Sequence, residues 1–124
     1  MLRIIRIKYT GIDPTDAINA YVEKKFLHLE KFVQDMREPR ECAIELARTS
    51  RHHNKGEIYR AEANLRLPGG LIRAERTAVT LYAAIDELKD ELERELTSHR
   101  ARQKTQVLKG ARRAKEQHQI FPLE

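Results

Sequence analysis

The spacing of apolar residues changes period several times along the chain. Leu2 to Tyr9 alternates bulky apolar residues with Arg3, Arg6 and Lys8, which point outward. Two phases compete for the inner face: Leu2, Ile4 and Tyr9 against Ile5 and Ile7. β-branched residues at this density predict a strand in either phase, and Gly11 breaks it. Asp13-Pro14-Thr15-Asp16 is a helix start, with Asp13 as the cap and Pro14 at the first helical position. Ala17, Ile18, Tyr21, Val22, Phe26, Leu29 and Phe32 or Val33 then recur at three-and-four spacing, which predicts one amphipathic helix.

Beyond Pro39, Cys42, Ile44 and Leu46 alternate with Ala43, Glu45 and Ala47 as a second strand. Thr49 to Gly56 is a polar loop that clusters Arg51, His52, His53 and Lys55. A third strand covers Glu57 to Leu67, with Tyr59, Ala61, Ala63, Leu65 and Leu67 inward and Arg60, Glu62, Asn64 and Arg66 outward. Pro68-Gly69-Gly70 turns the chain into a short antiparallel fourth strand, Leu71 to Arg76. Thr77 or Thr80 caps a last helix whose stripe is Leu81, Ile85, Leu88, Leu92 and Leu96, with Tyr82 anchoring it in the core. The helix is expected to end near Lys104.

The element order β-α-β-β-β-α predicts an α+β fold. Each strand has one apolar face and each helix one stripe, so the solution is a two-layer sandwich. A four-stranded sheet would carry two helices on one face, a dsRBD-like layout. Residues 1–104 form the domain, and residues 105–124, with Gly110 and Pro122, read as a basic flexible tail. At 124 residues there is room for one domain and its core.

Charge adds the main functional signal. The chain is 35% charged, with a net charge of +5. Asp86 to Glu95 carries six acids against Lys89 and Arg94. Leu96 to Lys115 then carries seven basic residues and no acid. Such a block marks either a polyanion-binding arm or a solvated helix end favoured by the macrodipole. Arg94, His99, Arg100, Arg102 and Lys104 form the strongest constellation, and Lys24, Lys25 and Lys31 of the first helix can join it. Phosphates are bound by cations that reach different oxygens, with counterion release supplying affinity.

Other chemistry finds little support. No Gly-rich phosphate loop is present, and the outer face of the third strand lacks the stacking rings of an RRM sheet. Cys42 reads as core filler, and with His52 and His53 it does not make a zinc pattern. The carboxylates Asp86, Asp90, Glu87 and Glu91 read as solvated. No catalytic constellation, metal or cofactor is expected. Apolar runs are too short to span a bilayer, and a lone cysteine agrees with a reducing, cytoplasmic setting.

Tyr82-Ala83-Ala84-Ile85-Asp86, Leu92-Glu93-Arg94-Glu95-Leu96 and His99-Arg100 resemble the second helix of the ribosome hibernation promoting factor and ribosome-associated inhibitor family, also called sigma-54 modulation proteins. Thr15-Asp16-Ala17-Ile18, Tyr21-Val22, Lys25-Phe26 and Leu29-Glu30-Lys31 are similar to its first helix, and Gly69-Gly70 matches its hairpin. The resemblance covers about residues 1–104. Thr80-Leu81 stands where the family often has Asp-Met, and His28 where it often has Lys.

The resemblance implies a short-form hibernation factor. Its partner would be the small ribosomal subunit, at the channel where messenger and transfer RNA sit. It would occlude both and stop translation reversibly under stress. No enzymatic activity, membrane or small-molecule substrate is implied, and the free protein is expected to be a monomer. The residue reading also leaves a general double-stranded-RNA-binding module and a protein-interaction regulator of transcription as alternatives.

Overall fold

The computed structural model describes residues 2–49 and 58–120. In chain order the elements are β1 (Arg3–Thr10), α1 (Asp16–Leu27), α2 (Glu30–Val33), β2 (Glu41–Arg48), β3 (Tyr59–Leu67), β4 (Gly70–Ala78) and α3 (Leu81–Ile120). The strands form one mixed sheet in the order β1-β2-β3-β4, with β1 parallel to β2 and the other pairs antiparallel. The predicted α+β class and the four-stranded sheet are therefore observed. The loop carrying Arg51, His52, His53 and Lys55 lies outside the described residues.

A bulge settles the two phases of β1. Ile4 pairs with Cys42 and Arg6 with Ala43, so Ile5 is an extra residue in the ladder. One extra residue flips every later side chain to the other face. Leu2 and Ile4 pack inward before it, and Ile7 and Tyr9 after it, while Ile5 is 56% exposed.

The core lies between the sheet and the helices. Cys42, Ile44 and Leu46 from β2 meet Ala61, Ala63 and Leu65 from β3, and Ile85, Leu88, Leu92 and Leu96 cover them. Small residues on β3 let α3 approach closely. Burial pushes the Cys42 thiol up to about 12, in keeping with core filler.

One helix start and the run of the first helix differ from the sequence reading, while Thr80 is one of the two caps expected for α3. Thr15, not Asp13, caps α1, its Oγ1 accepting from the Ile18 amide at 3.1 Å. Thr80 caps α3 by accepting from the Ala83 amide at 3.1 Å. The expected single first helix is interrupted at His28–Leu29, and α2 continues the apolar stripe to Val33. Ala17, assigned to that stripe, is exposed.

The largest difference is α3, which continues past Lys104 to Ile120. Gly110 is the only interior breaker, at a cost of about 1 kcal/mol against Ala. Its neighbours Gln106, Leu108, Lys109, Ala111 and Arg112 are good helix formers. At ~1.5 Å per residue the 40-residue helix is about 60 Å long. Residues 104–114 are all exposed, so this part projects beyond the sheet.

The last anchor of α3 is a turn. Gly69 has φ +89°, and a Cβ there would meet Gln103 Nε2 at 2.5 Å. Gly69→Ala should therefore cost about 2 kcal/mol, measured by urea unfolding, from both backbone conformation and the clash. Adding Gln103→Ala should restore only the part due to the clash.

The sheet face opposite the helices is charged and largely ion-paired, with Arg6 and Lys8 exposed at its β1 edge. Arg3 reaches Glu41 at 2.8 Å, and Arg73 reaches Glu62 at 2.6 Å. Arg60 bridges Glu75 at 2.9 Å, Glu45 at 3.4 Å and Glu62 at 3.5 Å. The sequence assigns Glu62 to the outer face, yet it is 9% exposed because these arginines cover it.

Candidate nucleic-acid interface

α1 and α2 run alongside α3 in the same direction. Tyr21 reaches Asp86 at 2.6 Å and Asp35 reaches Arg100 at 2.6 Å, both at a separation of 65 residues. The C-terminal ends of α1 and α2 therefore lie beside the middle of α3, around Arg100. Basic residues in last turns favour those ends through the helix dipole.

The eight cations expected from the sequence fall into three groups. Three are pinned within the fold. Lys25 Nζ lies 3.3 Å from Asp86 and stands over the Tyr21 ring. Arg94 donates to Glu91 at 2.9 Å. Arg100 forks onto both Asp35 oxygens at 2.6 and 3.0 Å and also donates to the Phe32 carbonyl at 2.9 Å. The Arg100 guanidinium holds the Asp35 carboxyl below the usual range, chiefly by hydrogen bonding.

His99 forms the second group. It is 5% exposed, with Nε2 3.2 Å from the Pro68 carbonyl oxygen. Its ring lies under the β3–β4 turn, so its expected place on the outer surface is corrected. The third group is Lys24, Lys31, Arg102 and Lys104, all exposed and without an ion pair among the described residues. Lys31 stands 5.3 Å from the Phe32 ring centroid, and a short exposed lysine contact of this kind leaves its charge available.

The projecting part of α3 adds Lys109, Arg112 and Arg113, again exposed. Arg102, Lys109 and Arg113 are seven and four residues apart, so at ~100° per residue they share one ridge. The ridge begins where the core ends.

Sequence reasoning misplaces two other residues. Tyr82 is 42% exposed, not a core anchor, and packs edge-on against Tyr21 with ring centroids 4.7 Å apart. Arg37 is missed altogether: it sits beside Glu38 in a short connection, with no charge block to mark it. In the structure it lines the cleft shared by Asp35, Pro68 and Lys104. Of the four carboxylates read as solvated, Asp86 is engaged by Tyr21 and Lys25, and Glu91 by Arg76 and Arg94, while Glu87 and Asp90 are exposed.

The Tyr21 hydroxyl carries a pH signature. Its hydrogen bond to Asp86, with burial second, pushes its pKa up to about 12. The unfolded phenol loses its proton near pH 10. A raised folded pKa gives stability that is complete below about pH 10 and is lost as pH climbs through the folded value. Burial also raises Tyr9, so ultraviolet titration should show two late tyrosines, and Asp86→Asn should bring Tyr21 alone back toward 10.

A small α+β domain thus presents exposed cations at the ends of α1 and α2 and along α3 beyond Leu96. Residues 5–104 match the family described as Sigma 54 modulation protein / S30EA ribosomal protein, and the chain belongs to it. A "Ribosome hibernation promotion factor" of Deinococcus radiodurans is 30% identical over 110 residues, covering 88% of this chain and 55% of that protein. A "Ribosome hibernation promoting factor" of Azotobacter vinelandii is 32% identical over 99 residues, covering 80% of this chain and 84% of that one. The crystal structure of the Thermus thermophilus Protein Y N-terminal domain is similar at a TM-score of 0.62 and 33% identity. It covers 78% of this chain and 98% of that one. The chain spans about half the length of the first two curated relatives it matches, 55% and 49%.

Proposed function

We propose that this chain is a ribosome hibernation factor that acts by occupation and without catalysis. It binds the small ribosomal subunit in the channel used by messenger and transfer RNA, blocks both, and leaves when conditions improve. The observation that carries the reading is the acid-free run of α3 from Leu96 to Lys115, with Arg102, Lys104, Lys109, Arg112 and Arg113 exposed, set beside the exposed lysines Lys24 and Lys31 of α1 and α2. The names of its relatives support the ribosome as the polyanion.

In this reading Lys24, Lys31, Arg102 and Lys104 meet ribosomal RNA phosphates. Lys25, Arg94 and Arg100 contribute field while remaining tied to their carboxylates, and His99 holds the hairpin that sets the angle of α3. Lys109, Arg112 and Arg113 extend the same cationic surface. The setting is the cytoplasm, and no helix among the described residues is long and apolar enough to cross a membrane.

Sedimentation of the tagged chain with ribosomes tests the proposal. At low salt it should travel with small subunits and whole ribosomes, and excess transfer RNA should displace it. Absence from those fractions at low salt would sink the hibernation reading. Persistence in the presence of excess transfer RNA would sink the location in the channel. The four-site variant Lys24→Gln, Lys31→Gln, Arg102→Gln, Lys104→Gln should fold normally yet lower the salt slope of binding by about 3.

A further inference from the structure

Three segments that are remote in sequence meet at the base of the projecting helix: the exit of α2, the β3–β4 turn, and α3 from His99 to Lys104. They line an open cleft of about 630 Å³. Small-molecule sites occupy roughly 300–1,000 Å³, so the space suits a ligand of a few tens of atoms.

The walls are held in place before any ligand arrives. On one side Arg100 ties α3 to Asp35 with two hydrogen bonds and to the Phe32 carbonyl with a third. On the other, His99 is bonded to Pro68 under the turn. A preformed cleft avoids the ordering cost that a flexible one incurs on binding.

Its lining is of two kinds. Met36 and Pro68 are half-buried and apolar. Arg37 and Lys104 are exposed on the same cleft, and neither has an ion pair among the described residues. The one acid, Asp35, is already neutralised by Arg100. The cleft therefore presents about two uncompensated positive charges together with apolar residues, and the Gln103 amide also lines it, next to Gly69.

Inorganic phosphate would use only the cations, and an uncharged ring only the apolar residues. A nucleotide uses both, and its base edge can exchange hydrogen bonds with an amide. We propose that this cleft binds one 5′-nucleoside monophosphate unit, its phosphate at Arg37 and Lys104 and its base over Met36 and Pro68. The unit can come from an unstacked nucleotide in RNA or from a free nucleotide. The RNA source rests on the function proposed above; the free source does not.

Amide chemical shifts of the full chain, followed during titration with AMP, UMP, adenosine and inorganic phosphate, test this directly. AMP should shift residues 35–37 and 99–104 and bind about tenfold more tightly than adenosine or phosphate alone. The double variant Arg37→Ala, Lys104→Ala should lose most of that affinity with unchanged thermal unfolding, because both side chains are exposed. Equal binding of phosphate and AMP, or AMP shifts located elsewhere, would overturn the proposal. A single-stranded RNA octamer that displaces AMP from these residues identifies the RNA source, and AMP binding untouched by the octamer identifies the free one. The two readings also separate. If AMP does not bind but the chain sediments with ribosomes, the cleft fails alone. If AMP binds but the chain does not sediment, the hibernation role fails alone.

Discussion

Arg102→Gln, Lys109→Gln and Arg113→Gln in one chain should cut ribosome affinity steeply at low salt and lower its salt slope by about 2–3. The three residues form a ridge on α3, about 10 and 6 Å apart along the axis at ~1.5 Å per residue. Each charge removed releases one fewer counterion on binding, so the loss appears first in the slope. None of the three is paired within the fold among the described residues, so thermal unfolding should stay where it is. The pinned cations serve as controls. Arg100→Gln breaks the fork to Asp35 and should shift unfolding, so its effect on binding has two causes. The ridge variant isolates one. An unchanged slope would show that the projecting half of α3 does not touch RNA.

Leu88→Ala should have the largest effect on folding, about 3 kcal/mol lost in urea unfolding. Leu88 is fully buried in the middle of the α3 stripe, between Ile85 and Leu92. β3 contributes Ala61 and Ala63 to the same core, and neither has a side chain long enough to fill the space. A cavity left there collapses poorly, and poor collapse puts a Leu→Ala change toward the costly end of its range. Leu108→Ala is the paired control. Leu108 is 56% exposed beyond the core, so its truncation should change stability by less than about 0.5 kcal/mol.

Much of the architecture can be read from period alone. The leucine stripe of α3 and the alternation of β2 and β3 give the layers and the element order. β1 could not be phased that way, because the bulge at Ile5 inserts one residue and exchanges the faces midway. The end of α3 was misjudged because loss of the apolar stripe after Leu96 signals loss of burial, not loss of helix. Those two coincide only when a helix has nothing but packing to hold it.

The candidate site was legible as charge and illegible as geometry. A run of cations is visible in sequence, but which of them is spoken for depends on distant partners. His99 is decided by Pro68, 31 residues away, and Arg100 by Asp35, 65 residues away. Arg37 shows the converse, a lone arginine that matters only because the fold carries it to Lys104. Tyr82 looked like core because it adjoins the buried Leu81. At 100° per residue, its neighbour's burial says little about its own face.

The lone cysteine gives this domain a chemical clock. Cys42 sits on β2 under α3, 1% exposed, with its thiol held protonated far above neutral pH. An alkylating reagent attacks the thiolate, so modification at neutral pH waits until the sheet parts from the helix. With one sulfhydryl in the chain, every labelled molecule records one such opening. Mass spectrometry after timed exposure would then give the opening rate without a spectroscopic probe. Any partner that grips the closed form should slow that clock in proportion to how tightly it binds, and free and ribosome-bound populations would label at different rates in the same tube.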